Sequence, residues 1–164
     1  MFKKMFKKMF KKSNEQQIFA PINGKNVALE KVPDPVFSQK MMGEGIAIIP
    51  QDGNVISPVN GKVVQIPETK HAIGLLADDG TEILIHVGLE TVGLKGEGFK
   101  VQVNTGDTVK VGQPLLEVDL DYIKQHAADI ITPIIITNSK ELDKHFTFTK
   151  EANSKAGETI IITI

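Results

Sequence analysis

Residues 68–88 read Glu-Thr-Lys-His-Ala-Ile-Gly-Leu-Leu-Ala-Asp-Asp-Gly-Thr-Glu-Ile-Leu-Ile-His-Val-Gly, two apolar runs separated by a polar turn. An Asp-Gly pair between apolar runs is a strong signal for a β-hairpin, because a type I′ turn needs positive φ at both central residues. With Asp79-Gly80 as a two-residue loop, Ile73 pairs with His86. The stretch therefore predicts an antiparallel hairpin with one histidine near each outer end.

The two histidines of this hairpin are the first candidates for chemistry. In the predicted register His71 lies two residues from the partner of His86, and directly paired residues and diagonal neighbours share a sheet face. A three-residue loop would instead put the two rings on opposite faces. Facing imidazoles could share a phosphoryl group, a metal ion or a proton, with Thr69 fixing the tautomer of His71 by a hydrogen bond. Gly88, opposite His71 in this register, would leave room for a partner, although two histidines on a partly buried β face without chemistry remain the alternative.

The rest of the chain predicts an all-β fold, a compact antiparallel β-sandwich or barrel-sandwich hybrid with one short helix. Short apolar runs separated by Gly, Pro, Asn and Asp are typical of such folds. Asp119 is a plausible N-cap for a helix over 120–128. The segments 20–25 and 57–62, Ala-Pro-Ile-Asn-Gly-Lys and Ser-Pro-Val-Asn-Gly-Lys, hint at two similar halves. Strands are expected at 25–29, 46–49, 62–66, 72–77, 82–87, 99–103, 114–118, 133–137, 145–149 and 159–164.

Composition excludes several classes of function. A chain of 164 residues is large enough for one domain with a core of its own, here expected over 18–164. The net charge of -1 argues against nucleic acid as a partner. The chain has no Cys and no Arg, so it has no thiol nucleophile, thiolate metal site or arginine finger. The absence of Cys also suits a cytoplasmic protein, and no apolar run is long enough to cross a bilayer.

The first twelve residues repeat Met-Phe-Lys-Lys three times. At helical spacing the six apolar side chains cover one half of the circumference and the six Lys cover the other. Residues 1–12, followed by a linker to residue 17, therefore predict a basic amphipathic segment that binds an anionic membrane surface. The competing interpretation is a disordered tail, because so short an isolated helix is marginal in water.

Four blocks of the chain carry a resemblance to a known family. They are 32–37 (Val-Pro-Asp-Pro-Val-Phe), 43–48 (Gly-Glu-Gly-Ile-Ala-Ile), 68–72 (Glu-Thr-Lys-His-Ala) and 85–99 (Ile-His-Val-Gly-Leu-Glu-Thr-Val-Gly-Leu-Lys-Gly-Glu-Gly-Phe). Over nearly all of 18–164 the sequence resembles the enzyme IIA component, glucose class, of the bacterial phosphoenolpyruvate-dependent sugar phosphotransferase system. Pro67 and Glu90 depart from the residues common in that family at their positions.

This resemblance implies a phosphotransferase component that accepts a phosphoryl group from the phosphocarrier HPr and passes it to the IIB cysteine of a sugar permease. It implies His86 as the phosphorylated residue, His71 as its stabilising partner and Thr69 as the residue that orients His71. Partner contacts would come from an apolar rim and acidic edge, namely Val36, Phe37, Val92, Asp34 and Glu90. We expect a cytoplasmic monomer, held at the inner face of the membrane if residues 1–12 bind lipid, that requires no cofactor.

Two other functions compete with this prediction. Residues 106–115 resemble a turn and strand of biotinyl or lipoyl carrier domains, in which case Lys40, next to Met41, would be the nearest candidate for modification. A zinc peptidase would need three protein ligands, and His71 and His86 supply two. The pair could also hold a weakly bound zinc ion together with a carboxylate from a partner protein. His126 and His145 have no nearby partner in sequence and are expected to be solvated or at the core edge.

Overall fold

The computed structural model describes residues 16–164, and β-strands dominate this part of the chain. The strands are β1 (Gln17–Phe19), β2 (Gly24–Ala28), β3 (Glu44–Pro50), β4 (Asn54–Ile56), β5 (Gly61–Gln65), β6 (Ala72–Ala77), β7 (Glu82–His86), β8 (Phe99–Val101), β9 (Thr108–Val109), β10 (Pro114–Val118), β11 (Thr132–Ile136), β12 (Thr147–Phe148), β13 (Asn153–Ser154) and β14 (Ile160–Thr163). Short helices connect them: α1 (Pro35–Ser38), α2 (Leu120–His126), α3 (Ser139–Leu142) and the 3-10 turns Leu29–Lys31 and Thr91–Leu94. None of the helices in residues 16–164 is long and apolar enough to cross a membrane.

The strands form one large and two small antiparallel sheets. The large sheet has the order β13-β2-β3-β11-β7-β6-β5-β9, and the small sheets have the orders β1-β14-β12 and β4-β10-β8. The main core lies on the inner face of the large sheet, where alternate residues such as Ile134 and Ile85 are buried. A second, smaller cluster lies on the outer face, where Ile135 and Leu84 pack under α1. Because the central strands are covered on both faces, their apolar runs are nearly continuous.

The all-β prediction is confirmed, and the repeated Asn-Gly-Lys segments mark two halves of the same construction. Asn23 and Asn60 directly precede β2 and β5. The side-chain oxygen of Asn23 accepts the N–H of Ala156, just after edge strand β13, at 2.7 Å, and that of Asn60 accepts the N–H of Val111, just after edge strand β9, at 2.9 Å. The halves also exchange equivalent bonds: Phe19 N–H donates to Pro58 and Ile56 N–H donates to Pro21. The sheet orders are symmetric under this relation, with β2, β3 and β11 matching β5, β6 and β7.

Ten of the strands overlap the predicted ranges, and four short strands (β1, β4, β9 and β13) were not predicted. Those four have two or three residues each, too few to show an alternating pattern. The predicted helix is present as α2, with the Asp119 carboxylate accepting from the Tyr122 N–H. The further helices, α1 and α3, span a single turn each and carry no periodicity that a sequence could reveal.

The predicted register of the central hairpin is wrong by one residue. His86 pairs with Ala72, and the loop has three residues, 78–80, closed by a bond from Ala77 N–H to Thr81. Gly80 has φ of 95°, and both the N–H and the hydroxyl of Thr81 donate to the Asp79 carboxylate. These side-chain bonds favour a longer turn with a single left-handed residue over a type I′ turn. Asp79 thus closes the loop through its side chain.

Candidate functional site

His86 is the last residue of β7 and points to the outer face of the large sheet. Leu84, two residues earlier on the same face, packs in the small cluster under α1. Phe37 of α1 is 4% exposed, and its ring centroid lies 5.0 Å from that of His86. The Nδ1 atom of His86 is 2.8 Å from the carbonyl oxygen of Gly88. A carbonyl can only accept, so Nδ1 carries the proton and Nε2 is left with a free lone pair.

His71 reaches the same place from outside the strand. By alternation it belongs with Ile73 on the inner face, and Val87 N–H donates to its carbonyl at 2.7 Å. The chain bends at His71, however, and the two imidazole centroids lie 4.8 Å apart with their planes at 75°. The two rings thus meet as expected, although the register that predicted it was wrong. Thr69 Oγ1 lies 2.7 Å from His71 Nδ1, the hydrogen bond expected between these two side chains.

Burial keeps both imidazoles neutral. Desolvation lowers the pKa of His71 from its ordinary 6.5 to about 4, and the adjacent His86 acts in the same direction. Burial also lowers the pKa of His86, while the Gly88 carbonyl and the Asp34 carboxylate oppose this shift. At neutral pH, His86 therefore presents an unprotonated nitrogen, the form that can act as a nucleophile.

Gly88 serves a different purpose from the one predicted. Val87, and not Gly88, lies opposite His71, so Gly88 does not leave room for a partner beside that ring. Its φ is 77°, and a Cβ atom there would lie 2.7 Å from Thr91 Cγ2 and 2.9 Å from the Asp129 carbonyl oxygen. The residue is buried, and it contributes its carbonyl to His86. Nothing in the sequence alone signals that contact.

The other predicted partner residues, which we call the rim, lie on α1 beside His86 and on the 90–92 segment that follows Gly88. Asp34 caps α1 by accepting the Val36 N–H at 2.9 Å, and Val36 itself is 39% exposed. Val92, on the opposite loop, is 57% exposed, and Glu90 is exposed with a left-handed φ of 58°. Phe37 alone is buried, so it supports His86 from beneath. The site thus has exposed apolar and acidic side chains on the segments next to two imidazoles, of which His71 is buried and His86 is half-buried.

A further exposed apolar residue, Met41, lies next to α1. Met41 follows α1, donates its N–H to the Val36 carbonyl and is 66% exposed. The sequence singles out Met41 only as the neighbour of Lys40 in a carrier domain. Lys40 is not at a hairpin tip, and its Nζ lies 3.1 Å from Glu44 Oε1, which makes it a poor target for a prosthetic group. The backbone bond to Val36, which the sequence does not predict, places Met41 next to α1.

The described residues do not complete a metal site. No cluster of three or more His, Cys, Asp or Glu side chains within 16–164 could hold a metal ion. His126 and His145 are both exposed, and His126 stacks on Tyr122 with centroids 4.2 Å apart. A zinc ion on His71 and His86 would need a ligand from outside these residues, so the shared site with a partner's carboxylate stays a prediction.

Residues 16–142 match the family described as phosphoenolpyruvate-dependent sugar phosphotransferase system, EIIA 1. The chain is 48% identical over 172 residues to the PTS system glucose-specific EIIA component of Halalkalibacterium halodurans, covering 100% of this chain and 98% of the relative. It is 50% identical over 164 residues to the protein of the same name from Staphylococcus aureus, with the same coverage.

The fold also matches a solved structure, that of glucose permease IIA from Mycoplasma capricolum. The TM-score is 0.84 at 34% sequence identity, and the match covers 91% of this chain and 95% of that one. Sequence and fold therefore point to the same group of proteins.

Proposed function

Because the chain belongs to the EIIA 1 family of the phosphoenolpyruvate-dependent sugar phosphotransferase system, we propose that His86 accepts a phosphoryl group from phospho-HPr and passes it to the IIB cysteine of a sugar permease. The observation that carries this proposal is the free Nε2 of His86, set by the bond between Nδ1 and the Gly88 carbonyl. The chain then acts as a phosphohistidine carrier, a phosphotransferase component that requires no cofactor.

The reaction is a transfer between nucleophiles. The lone pair of His86 Nε2 attacks phosphorus, a new P–N bond forms, and the P–N bond in phospho-HPr breaks. In the second step the IIB thiolate attacks the same phosphorus, a P–S bond forms, and the electron pair of the P–N bond returns to Nε2. Positioning and charge stabilisation are most of what such a transfer requires.

His71 would stabilise the charge that moves with the phosphoryl group. If Thr69 O–H donates to Nδ1 of His71, the ring proton lies on Nε2 and can be donated to a phosphoryl oxygen. The ring contact of 4.8 Å between centroids supports this role, since a phosphoryl group on His86 would lie beside His71. Donors placed in advance where charge develops are effective in a water-poor site.

The rim would receive both protein partners. Val36 and Val92 offer exposed apolar contact, and Asp34 and Glu90 offer charge to basic side chains of HPr and IIB. The relatives are named glucose-specific components, so a glucose-class permease is the acceptor we assign. We also assign a cytoplasmic monomer, with residues 1–12 holding it at the inner membrane face and no role in binding nucleic acid.

Labelling of the purified chain tests the proposal. We expect acid-labile phosphate on the protein after incubation with phosphoenolpyruvate, enzyme I and HPr, and site mapping should place it on His86. His86→Ala should lose all labelling, because it removes the imidazole whose free Nε2 is preset by the Gly88 carbonyl. His126→Ala, a change at an exposed histidine outside the site, is the matched control and should label like the unmodified chain. Full labelling of the His86→Ala protein would overturn the assignment.

A further inference from the structure

The position of His71 depends on a turn immediately before β6 that no sequence motif predicts. In the ladder between β6 and β7, Ala72 pairs with His86. Ile73 is buried on the inner face of the sheet, and strand alternation would place His71, two residues earlier, on that same face. His86 points to the outer face. The ring of His71 nevertheless lies against it, so the backbone must redirect this side chain immediately before β6 begins.

The residue at that point is Lys70, whose φ is 58°. Left-handed backbone is costly for a residue with a side chain, and such strain persists only where the surroundings impose it. Lys70 N–H donates to the Pro67 carbonyl at 2.9 Å and closes a turn. The side-chain stem rests on the next loop, since the Cδ atom of Lys70 is 3.6 Å from the place where a Cβ of Gly96 would lie.

The residues before and after Lys70 in the sequence are joined by a side-chain hydrogen bond. Thr69 Oγ1 and His71 Nδ1, on its two sides in sequence, lie 2.7 Å apart. From this arrangement we propose that Lys70 is a positioning residue, whose left-handed backbone turns His71 out of the inner face and onto His86. The inference rests on the proposed phosphoryl transfer for its consequence, but the positioning itself is a property of the unmodified fold.

The inference concerns the backbone of Lys70 and not its charge. Lys70 is exposed, and its ammonium group has no ion-pair partner among the described residues. Asn and Gly both tolerate left-handed φ, whereas β-branched Val does not. Lys70→Asn and Lys70→Gly remove the charge but keep the turn, and Lys70→Val removes both. The three variants therefore separate a role of the backbone from a role of the ammonium group.

The first measurement is the nuclear Overhauser effect between carbon-bound ring protons of His71 and His86, which needs no phosphoryl donor. We expect the cross peak in the unmodified chain, in Lys70→Asn and in Lys70→Gly, and its loss in Lys70→Val. Asp143→Val is the matched control, because Asp143 also has a left-handed backbone, with φ of 47°. Asp143 follows α3, which lies near the turn that precedes β7 and is far from His86 at the other end of the strand. It should lower the melting temperature and keep the cross peak.

The second measurement is the rate of transfer from the phosphorylated chain to IIB. Lys70→Val should lower it by about 10- to 100-fold, the loss typical of a displaced reacting group, while the Asn and Gly variants stay within about twofold. Equal impairment of all three variants would assign the effect to the ammonium group and overturn the inference, as would a cross peak retained in Lys70→Val. If the unmodified chain takes no label, the proposed function fails while the cross peak still tests the turn.

Discussion

At the scale of single residues, the two imidazoles differ in what holds their Nδ1 atoms. A carbonyl fixes the tautomer of His86, whereas the hydroxyl of Thr69 can accept from His71 or donate to it. The proposed nucleophile is therefore preset, and the ring proposed to stabilise the charge can adjust to a phosphoryl group. This asymmetry supports giving the two histidines different roles.

Replacing His71 with Gln should separate accepting a phosphoryl group from passing it on. The variant keeps His86 Nε2 free, so labelling by phospho-HPr should persist. Transfer to IIB should fall by about 10² to 10³-fold, because a donor placed for the migrating charge is lost. Rapid-quench measurement of both half-reactions checks this. Equal loss in both steps would show that His71 acts on the nucleophile itself.

Acidification should destabilise the fold through the same histidine. The pKa of His71 is about 4 in the folded chain and ordinarily 6.5, so below pH 6.5 the unfolded state binds more protons and stability falls as pH falls. From pH 7 to pH 5 this residue should remove about 1 to 2 kcal/mol, and His86 shifts in the same direction. Urea unfolding at both pH values measures the loss. It should be smaller in His71→Gln, and an equal loss in both proteins would contradict the assignment.

At the scale of elements, the turn after β7 fixes the orientation of the His86 ring through the Gly88 carbonyl. Gly88→Ala puts a methyl group against Thr91 and the Asp129 carbonyl in a left-handed conformation. We expect a loss of stability of about 2 to 4 kcal/mol, since strain and overpacking add, together with slower labelling of His86. Equilibrium unfolding and initial rates of labelling measure the two effects.

Gly80 supplies the control for this change. It is also left-handed, with φ of 95°, but a Cβ there would meet no atom within 4 Å. Gly80→Ala should cost about 1 kcal/mol from backbone strain alone and leave labelling unchanged. If the two alanine variants behaved alike, the contacts of Gly88 would have no special part in the site.

At the scale of the whole molecule, the two similar halves surround one site whose two histidines both come from the second half, while α1 of the first half packs against His86. The symmetry that relates β7 to β11 matches His86 with Ile135, a buried apolar residue. The repeat therefore builds the scaffold, and the two histidines proposed to carry the chemistry lie at one end of one hairpin. The predicted boundary between an N-terminal segment, 1–17, and the domain, 18–164, stays a prediction, because most of the N-terminal segment lies outside the described residues.

Residues 1–12 also lie outside the described residues, and their membrane binding stays a prediction. Deleting them should leave transfer from HPr in solution unchanged, but reduce co-sedimentation with anionic vesicles and transfer to a membrane-embedded permease. The loss should depend on salt, because Lys attraction is screened. A variant with the same twelve residues in scrambled order keeps the charge without the two-sided pattern and should also bind less. If the full-length and truncated chains bound the vesicles equally, residues 1–12 would be a tail without a role in membrane binding.

By itself, the sequence determined the fold class, the central hairpin and the capped helix α2, and it singled out His71 and His86 as the pair that the fold brings into contact. These follow from apolar periodicity, turn residues and local capping, which act over a few neighbouring positions. The prediction failed where a choice between nearly equivalent turns depended on side-chain bonds, as at Asp79, and the register shifted by one residue.

The tertiary structure decided what brings the histidines together. The contact between the rings of His71 and His86 depends on the left-handed turn at Lys70, and the tautomer of His86 depends on the Gly88 carbonyl. The low pKa of His71 depends on burial and on the adjacent ring. No sequence pattern predicts these features, because a backbone φ, a side-chain rotamer and the burial of a ring are fixed only when the chain folds.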